Sequence, residues 1–323
     1  MCSEVQLVLA TPIFYKNVLH YFSIISTPIN CFAVYCIIFK TPKSVDSARI
    51  CMLLLSFCSS LLDFEIGILL TPFILFPTIS GYSLGFFSFF QVKEEIQIFS
   101  TLVVFIATSA SIICLLENRF SQLNNTYKLK NSLIISVSNV FIGSISILII
   151  LKDLPDQNEA SEQIFNSLPC LTKIESKNLF ILSLDIELMG FLISATTLAF
   201  CIQGIFFVLA TFQRLYFHKA LNLSAHTRKL QKSFFLAICL QVSIPIMVIL
   251  IPCVYIAVSC LSHYHNQALN NLAIITICFH GTLSSISMIF VHNCYRHVLL
   301  RLLLTPIKQL AKKHRHNIVS ILF

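Results

Sequence analysis

Between Ser233 and Tyr295 the chain runs for 63 residues without one Asp, Glu, Lys or Arg. A soluble fold would have to hide nearly all of that stretch in a core, whereas a bilayer takes it as two spans of about 20 residues each. The rest of the chain agrees with a membrane. Hydrophobic residues make up 56% and charged residues 11%, against roughly 45–50% and about 25% in soluble globular proteins. A cytosolic enzyme is excluded on that ground.

Stretches that avoid ionised side chains number seven: 18–39, 50–72, 96–116, 132–151, 188–212, 233–261 and 270–291. Each covers the ~30 Å hydrocarbon layer as a helix, the form in which backbone groups satisfy one another in lipid. The expected fold is therefore an all-α membrane protein: a tail over 1–17, a seven-helix domain over 18–292 and a second tail over 293–323. The first run is of full span length and is expected to anchor itself rather than be cleaved. Pro42, Pro72, Pro77 and Pro155 punctuate span ends, while Pro245 and Pro252 lie inside the sixth run and are expected to bend it.

Orientation follows from Lys and Arg in alternate segments. Residues 40–49, 117–131, 213–232 and 293–323 carry 17 of them, and residues 1–17, 73–95, 152–187 and 262–269 carry 5. The first group belongs in the cytosol, so the N-terminus lies outside. The net charge of +8 is thus a topology signal; no basic patch is interleaved with stacking aromatics, and nucleic acid is not expected as a partner. No nucleophile elbow, phosphate-binding glycine loop or His–Glu metal pair is present, and neither catalytic residues, a metal nor a cofactor is expected.

Two polar features stand out. The third span ends in Glu117-Asn118-Arg119-Phe120, where an acid and an arginine either hold each other until helices move or merely mark the membrane interface. Asp63 falls near the middle of the second span, where an isolated carboxylate is costly. His280, with Ser284 one turn on, offers it a partner from the seventh span, either as a switch or as a permanent packing contact.

Motifs along nearly the whole chain resemble the nematode serpentine receptors of class H. They are Phe39-Lys40-Thr41-Pro42, Leu61-Leu62-Asp63, Phe76-Pro77, Gly81-Tyr82, Leu84-Gly85, Glu117-Asn118-Arg119, Pro155-Asp156-Gln157 and Leu168-Pro169-Cys170. Further along come Thr227 to Lys232, Gln267-Ala268-Leu269-Asn270-Asn271, His280-Gly281 and His292-Asn293-Cys294-Tyr295-Arg296. The resemblance implies a seven-helix receptor of the type that couples to a heterotrimeric G protein, in the plasma membrane, with the sensory cilium of chemosensory neurons as the implied site, and with a small chemical ligand held between helices. The alternative is a seven-helix ligand-gated channel or transporter. Homo- or hetero-oligomers are compatible with either.

Under the receptor reading, ligand contacts are expected from the outer halves of the spans, with Gln97, Thr101, Met189, Tyr255 and Asn271 as candidates. G-protein coupling falls to Glu117, Arg119, Thr227, Arg228, Lys229 and Lys232. The family usually has proline where this chain has Cys294, which predicts a softer break after the seventh helix and a candidate palmitoylation site. From Tyr295 onward, leucines alternate with Arg296, Arg301, Lys308 and Lys312, the pattern of a short interfacial amphipathic helix. Rhodopsin-like receptors usually pin the third helix to the second outer loop by a disulfide, but residues 91–100 hold no cysteine. The resemblance suggests a Cys2–Cys170 bridge from the N-terminal tail instead, with two free thiols or a role for Cys260 as the other readings.

Epitope tags at either end check the topology in unpermeabilised cells: the N-terminal tag is expected to be accessible and the C-terminal one hidden.

Overall fold

The computed structural model describes residues 8–42, 46–123, 129–167, 179–184, 186–217, 225–302 and 304–305. Seven helices in it are long and apolar enough to cross a membrane: Pro12–Lys40, Ala48–Leu70, Glu94–Leu123, Lys130–Lys152, Glu187–Tyr216, Thr227–Ser262 and Gln267–Val291. They match the seven expected spans in order and extend most of them at the ends, where polar residues continue a helix beyond the hydrocarbon. The sixth helix is continuous through both Pro245 and Pro252. Cys2, Cys170, Lys308 and Lys312 lie outside the described residues.

Two buried clusters hold the bundle together. Toward the inner side, Ala33, Cys36, Ile37, Cys51, Met52, Cys114, Leu115, Ile238, Met288 and Tyr295 join the first, second, third, sixth and seventh helices. The other, toward the outer side, includes Tyr15, Leu19, Leu62, Phe73, Ile164, Ile181 and Cys278. The cysteines in these clusters pack as small apolar groups. Unlike its neighbours, the fifth helix contributes no buried residue from its most apolar stretch, so most of that surface is left for lipid.

Three strands are an addition to the all-helical expectation. Strand β1 (Pro72–Leu75) pairs antiparallel with β2 (Ser80–Ser83), and β3 (Phe180–Ile181) joins the far edge of β2. Many of the family-like motifs fall on this outer cap. The Tyr15 hydroxyl donates to Pro72 O at 2.7 Å, Gln267 Nε2 to Ile74 O at 3.2 Å, and Asn270 Nδ2 to Phe76 O at 3.2 Å. His265 Nδ1 lies 2.6 Å from the same Phe76 carbonyl. Gln157 grips Ile181 from both sides, its amide donating to Ile181 O at 3.1 Å and accepting from Ile181 N at 2.9 Å. Gly81 is required here, because a Cβ would lie 2.4 Å from Phe73 O.

At the inner end the backbone leaves the seventh helix at His292, in extended conformation, and turns helical again over 293–302. The break is made with cysteine, not proline, at position 294. Cys294 sits half-buried against the inner cluster, and burial raises its thiol pKa.

Candidate functional site

The centre of the bundle is organised by Asp63, which is 2% exposed. The sequence pairs it with His280, and the structure brings them together: His280 Nδ1 lies 3.3 Å from Asp63 Oδ1. Two partners were not legible in advance. Gly281 N donates to Asp63 Oδ1 at 3.2 Å, and the Thr282 hydroxyl donates to Oδ2 at 3.1 Å. Asn30 of the first helix also bonds the carboxyl.

Residues 280–282 reach one carboxylate because the seventh helix is interrupted at Phe279, with helices Gln267–Cys278 and His280–Val291 on either side. In an unbroken helix, consecutive side chains point about 100° apart. The interruption rearranges the backbone bonds: His280 Nδ1 lies 2.8 Å from Ile277 O, the carbonyl that the Gly281 amide would otherwise take, and that amide turns to Asp63. The same contact explains the glycine. A Cβ on Gly281 would stand 2.6 and 2.7 Å from the two Asp63 oxygens and 2.7 Å from Ser59 O.

Beside this cluster lies a small cavity of about 30 Å³ between the second, third, sixth and seventh helices, with Ser59, Thr108, Gln241, Pro245, His280 and Ser284 among its walls. That space suits two or three waters. Ser284 is therefore at the cavity rather than on Asp63.

The inner face joins helices by aromatic contacts. Arg119, 3% exposed, lies over the Phe234 ring of the sixth helix at 3.8 Å, and its Nη1 donates to Gln122 Oε1 at 2.9 Å. Phe234 meets the His292 ring at 5.1 Å, and His292 meets Tyr295 at 5.4 Å. The Tyr295 and Thr41 hydroxyls close the row at 2.8 Å. Burial, and then the Arg119 charge, hold His292 down to about 4, so the ring is neutral at pH 7 and donates Nε2–H to Gln241 Oε1 at 3.1 Å. The Glu117 carboxylate accepts from the hydroxyls of Ser121 and Ser132 and so ties the third helix to the fourth.

Of the sixth-helix residues, Arg228 caps the end of the fifth helix by donating Nε and Nη2 to Leu215 O at 3.2 and 2.9 Å. Lys232 Nζ stands 3.9 Å over the Tyr216 ring, while Thr227 is half-buried and Lys229 exposed. The ligand candidates are spread over the outer half. Gln97 Nε2 donates to Val92 O at 2.6 Å, and the Thr101 hydroxyl faces Glu65. Met189 is buried at the outer end of the fifth helix. Tyr255 donates to Asn270 Oδ1 at 2.7 Å, and Asn271 Nδ2 donates to Leu9 O at 2.8 Å. None of the five lines the small cavity.

Against this geometry, residues 10–305 match the model of the family described as serpentine type 7TM GPCR chemoreceptor Srh. The chain is 26% identical over 279 residues to serpentine receptor class H-72 of Caenorhabditis elegans, a match that covers 84% of this chain and 80% of that one. Among solved structures it is similar to the crystal structure of squid rhodopsin, with a TM-score of 0.59 at 10% identity, over 90% of this chain and 85% of that one. The last likeness establishes a shared fold.

Gly281→Ala is expected to destabilise the bundle by about 1–3 kcal/mol through overpacking against Asp63. A lower melting temperature of the purified protein in nanodiscs, with reduced surface expression, checks it; unchanged stability would mean that the Asp63 contact is not close.

Proposed function

Since the chain belongs to the serpentine chemoreceptor family Srh, we propose that it is a chemosensory G-protein-coupled receptor of the plasma membrane. It binds a small chemical between the outer halves of its helices and signals to a heterotrimeric G protein, in keeping with a ciliary location on sensory neurons. The observation that carries the coupling half is the row Arg119–Phe234–His292–Tyr295–Thr41, which spans the inner ends of the third, sixth, seventh and first helices.

In this reading the row is the resting latch. A guanidinium keeps its charge at any physiological pH and stacks on an aromatic face, so Arg119 holds the sixth helix in without a carboxylate partner on that helix. When ligand shifts the population of helix arrangements, Phe234 moves off, and Arg119 presents its planar fork of donors to the carbonyls of an entering partner helix. Arg228 and Lys232 bind the start of the sixth helix to the end of the fifth, so those two ends swing as a pair. Lys229, exposed, is left to meet the G protein.

The family resemblance, and the fact that Cys2 and Cys170 are the cysteines of the two outer segments, carry the companion proposal that they are joined outside the membrane, where disulfides persist. Peptide mapping under non-reducing conditions is expected to recover the linked pair, and recovery of either residue as an alkylated free thiol from folded protein would exclude it.

Two substitutions test the latch in a reporter cell with a ligand panel. Arg119→Ala is expected to keep surface level and ligand binding while losing about tenfold or more of G-protein activation, the scale of one lost charge-assisted contact. Phe234→Ala is expected to raise signalling without ligand. Full activation by the arginine variant at matched surface level would reduce Arg119 to an interface anchor.

A further inference from the structure

Glu65 begins the π-helical turn Glu65–Leu70 that ends the second span, and at 6% exposure its carboxyl is inside the bundle. It faces the Thr101 hydroxyl of the third span, and its Oε2 is buried with no hydrogen-bond partner. Gln97 lies one turn above Thr101 on the same helix and is 2% exposed. Its Nε2 is spent on Val92 O, and its Oε1 is likewise buried without a partner. Thr101 itself bonds back to Gln97 O at 3.1 Å, which places the two side chains on one strip of the third helix.

This arrangement is unusual in one respect: it collects acceptors and supplies no cation. An ionised carboxylate inside a span is costly unless a positive group faces it, and among the described residues no Lys, Arg or His forms an ion pair with Glu65. The third helix is mostly buried from Ala110 to Arg119 but only half-buried from Ile98 to Ala107, and the apolar stretch of the fifth helix buries nothing. The third helix is therefore less enclosed by the bundle along its outer half than along its inner half.

We propose that this buried acceptor group on the less enclosed outer half of the third helix binds a small organic ammonium ion, with Glu65 as its counter-ion and the Thr101 hydroxyl and Gln97 Oε1 as further acceptors. An ammonium group carries three N–H donors and no acceptor, which suits the two buried acceptors that lack a donor, Glu65 Oε2 and Gln97 Oε1, with the Thr101 hydroxyl oxygen beside them. The ligand's carbon chain lies along the apolar face of the third helix toward Phe105, which borders the small cavity below. The proposal rests on the reading that ligand binds between the helices, and it names the chemistry of that ligand.

The test is a direct binding measurement on the full chain in nanodiscs, with no G protein present, so that its outcome is separate from that of the coupling experiments. Melting temperature is followed at pH 7 against methyl- to hexylammonium chloride and phenylethylammonium chloride, with 1-butanol, sodium butyrate and sodium chloride as controls. At least one ammonium compound is expected to raise the melting temperature saturably, and the three controls are not. Glu65→Gln is expected to raise the half-saturating concentration about tenfold or more, as loss of a buried charge partner does, and Thr101→Val to raise it less. Equal stabilisation by butanol or sodium, no stabilisation by any ammonium compound, or an unchanged response in Glu65→Gln would each overturn the proposal. If Glu65→Gln does not fold, the comparison of ammonium with alcohol on the wild-type chain and the Thr101→Val shift decide it.

Discussion

A single buried carboxylate sets the shape of the seventh helix. Asp63 needs donors, because nothing in the bilayer core solvates it, and an intact helix has its amides already engaged. The chain meets the need by interrupting the helix at Phe279, which releases the Gly281 amide and aligns Thr282 and His280 on the same group. The His280 ring in turn covers the carbonyl that lost its amide partner. The break is thus an exchange of hydrogen bonds that leaves His280 Nε2 buried without a partner, and it fixes the second and seventh helices to each other at mid-membrane.

The two ends of the bundle are tied differently on either side of that joint. Outside, backbone carbonyls of a β-hairpin accept from side chains of the first and seventh helices, and a short strand of the second outer loop completes the sheet. Such bonds are directional and close the mouth over the bundle. Inside, hydrogen bonds such as Tyr295–Thr41, His292–Gln241 and Arg228–Leu215 are joined by ring stacking and a cation over a ring, contacts with broad energy wells that tolerate sliding. The contact of Arg119 with the sixth helix is of this sliding kind.

The loosely packed fifth helix and the half-buried outer part of the third complete the mechanical picture. Tight packing of the inner third helix, through Cys114, Leu115 and their neighbours, keeps Arg119 in place. The outer part is less enclosed, so a ligand bound there, as proposed, displaces fewer packed side chains. In that proposal, binding energy gained at Thr101 and Glu65 is available to shift the helices whose inner ends meet at Phe234.

Much of this protein was legible in its sequence, because the bilayer imposes a simple rule: about 20 residues without charge make a span, and basic residues mark the cytosolic side. The seven spans, their orientation and the Asp63–His280 pairing follow from that rule and from the cost of a lone intramembrane carboxylate. Tertiary structure alone decided the rest. Gly281 and Thr282 join Asp63 only because the helix breaks, and no local signal short of the glycine announces that break. Arg119 faces an aromatic ring and Glu117 faces two serines, although their spacing suggests a mutual pair, because each side chain takes the partner that neighbouring helices bring to it. The hairpin from Pro72 to Ser83 reads as a loop between spans, since its strands are four residues long and acquire their stability from the helix ends they cap. Spans are set by what lipid excludes, a property of each residue; partners are set by which helices meet, a property of the whole chain.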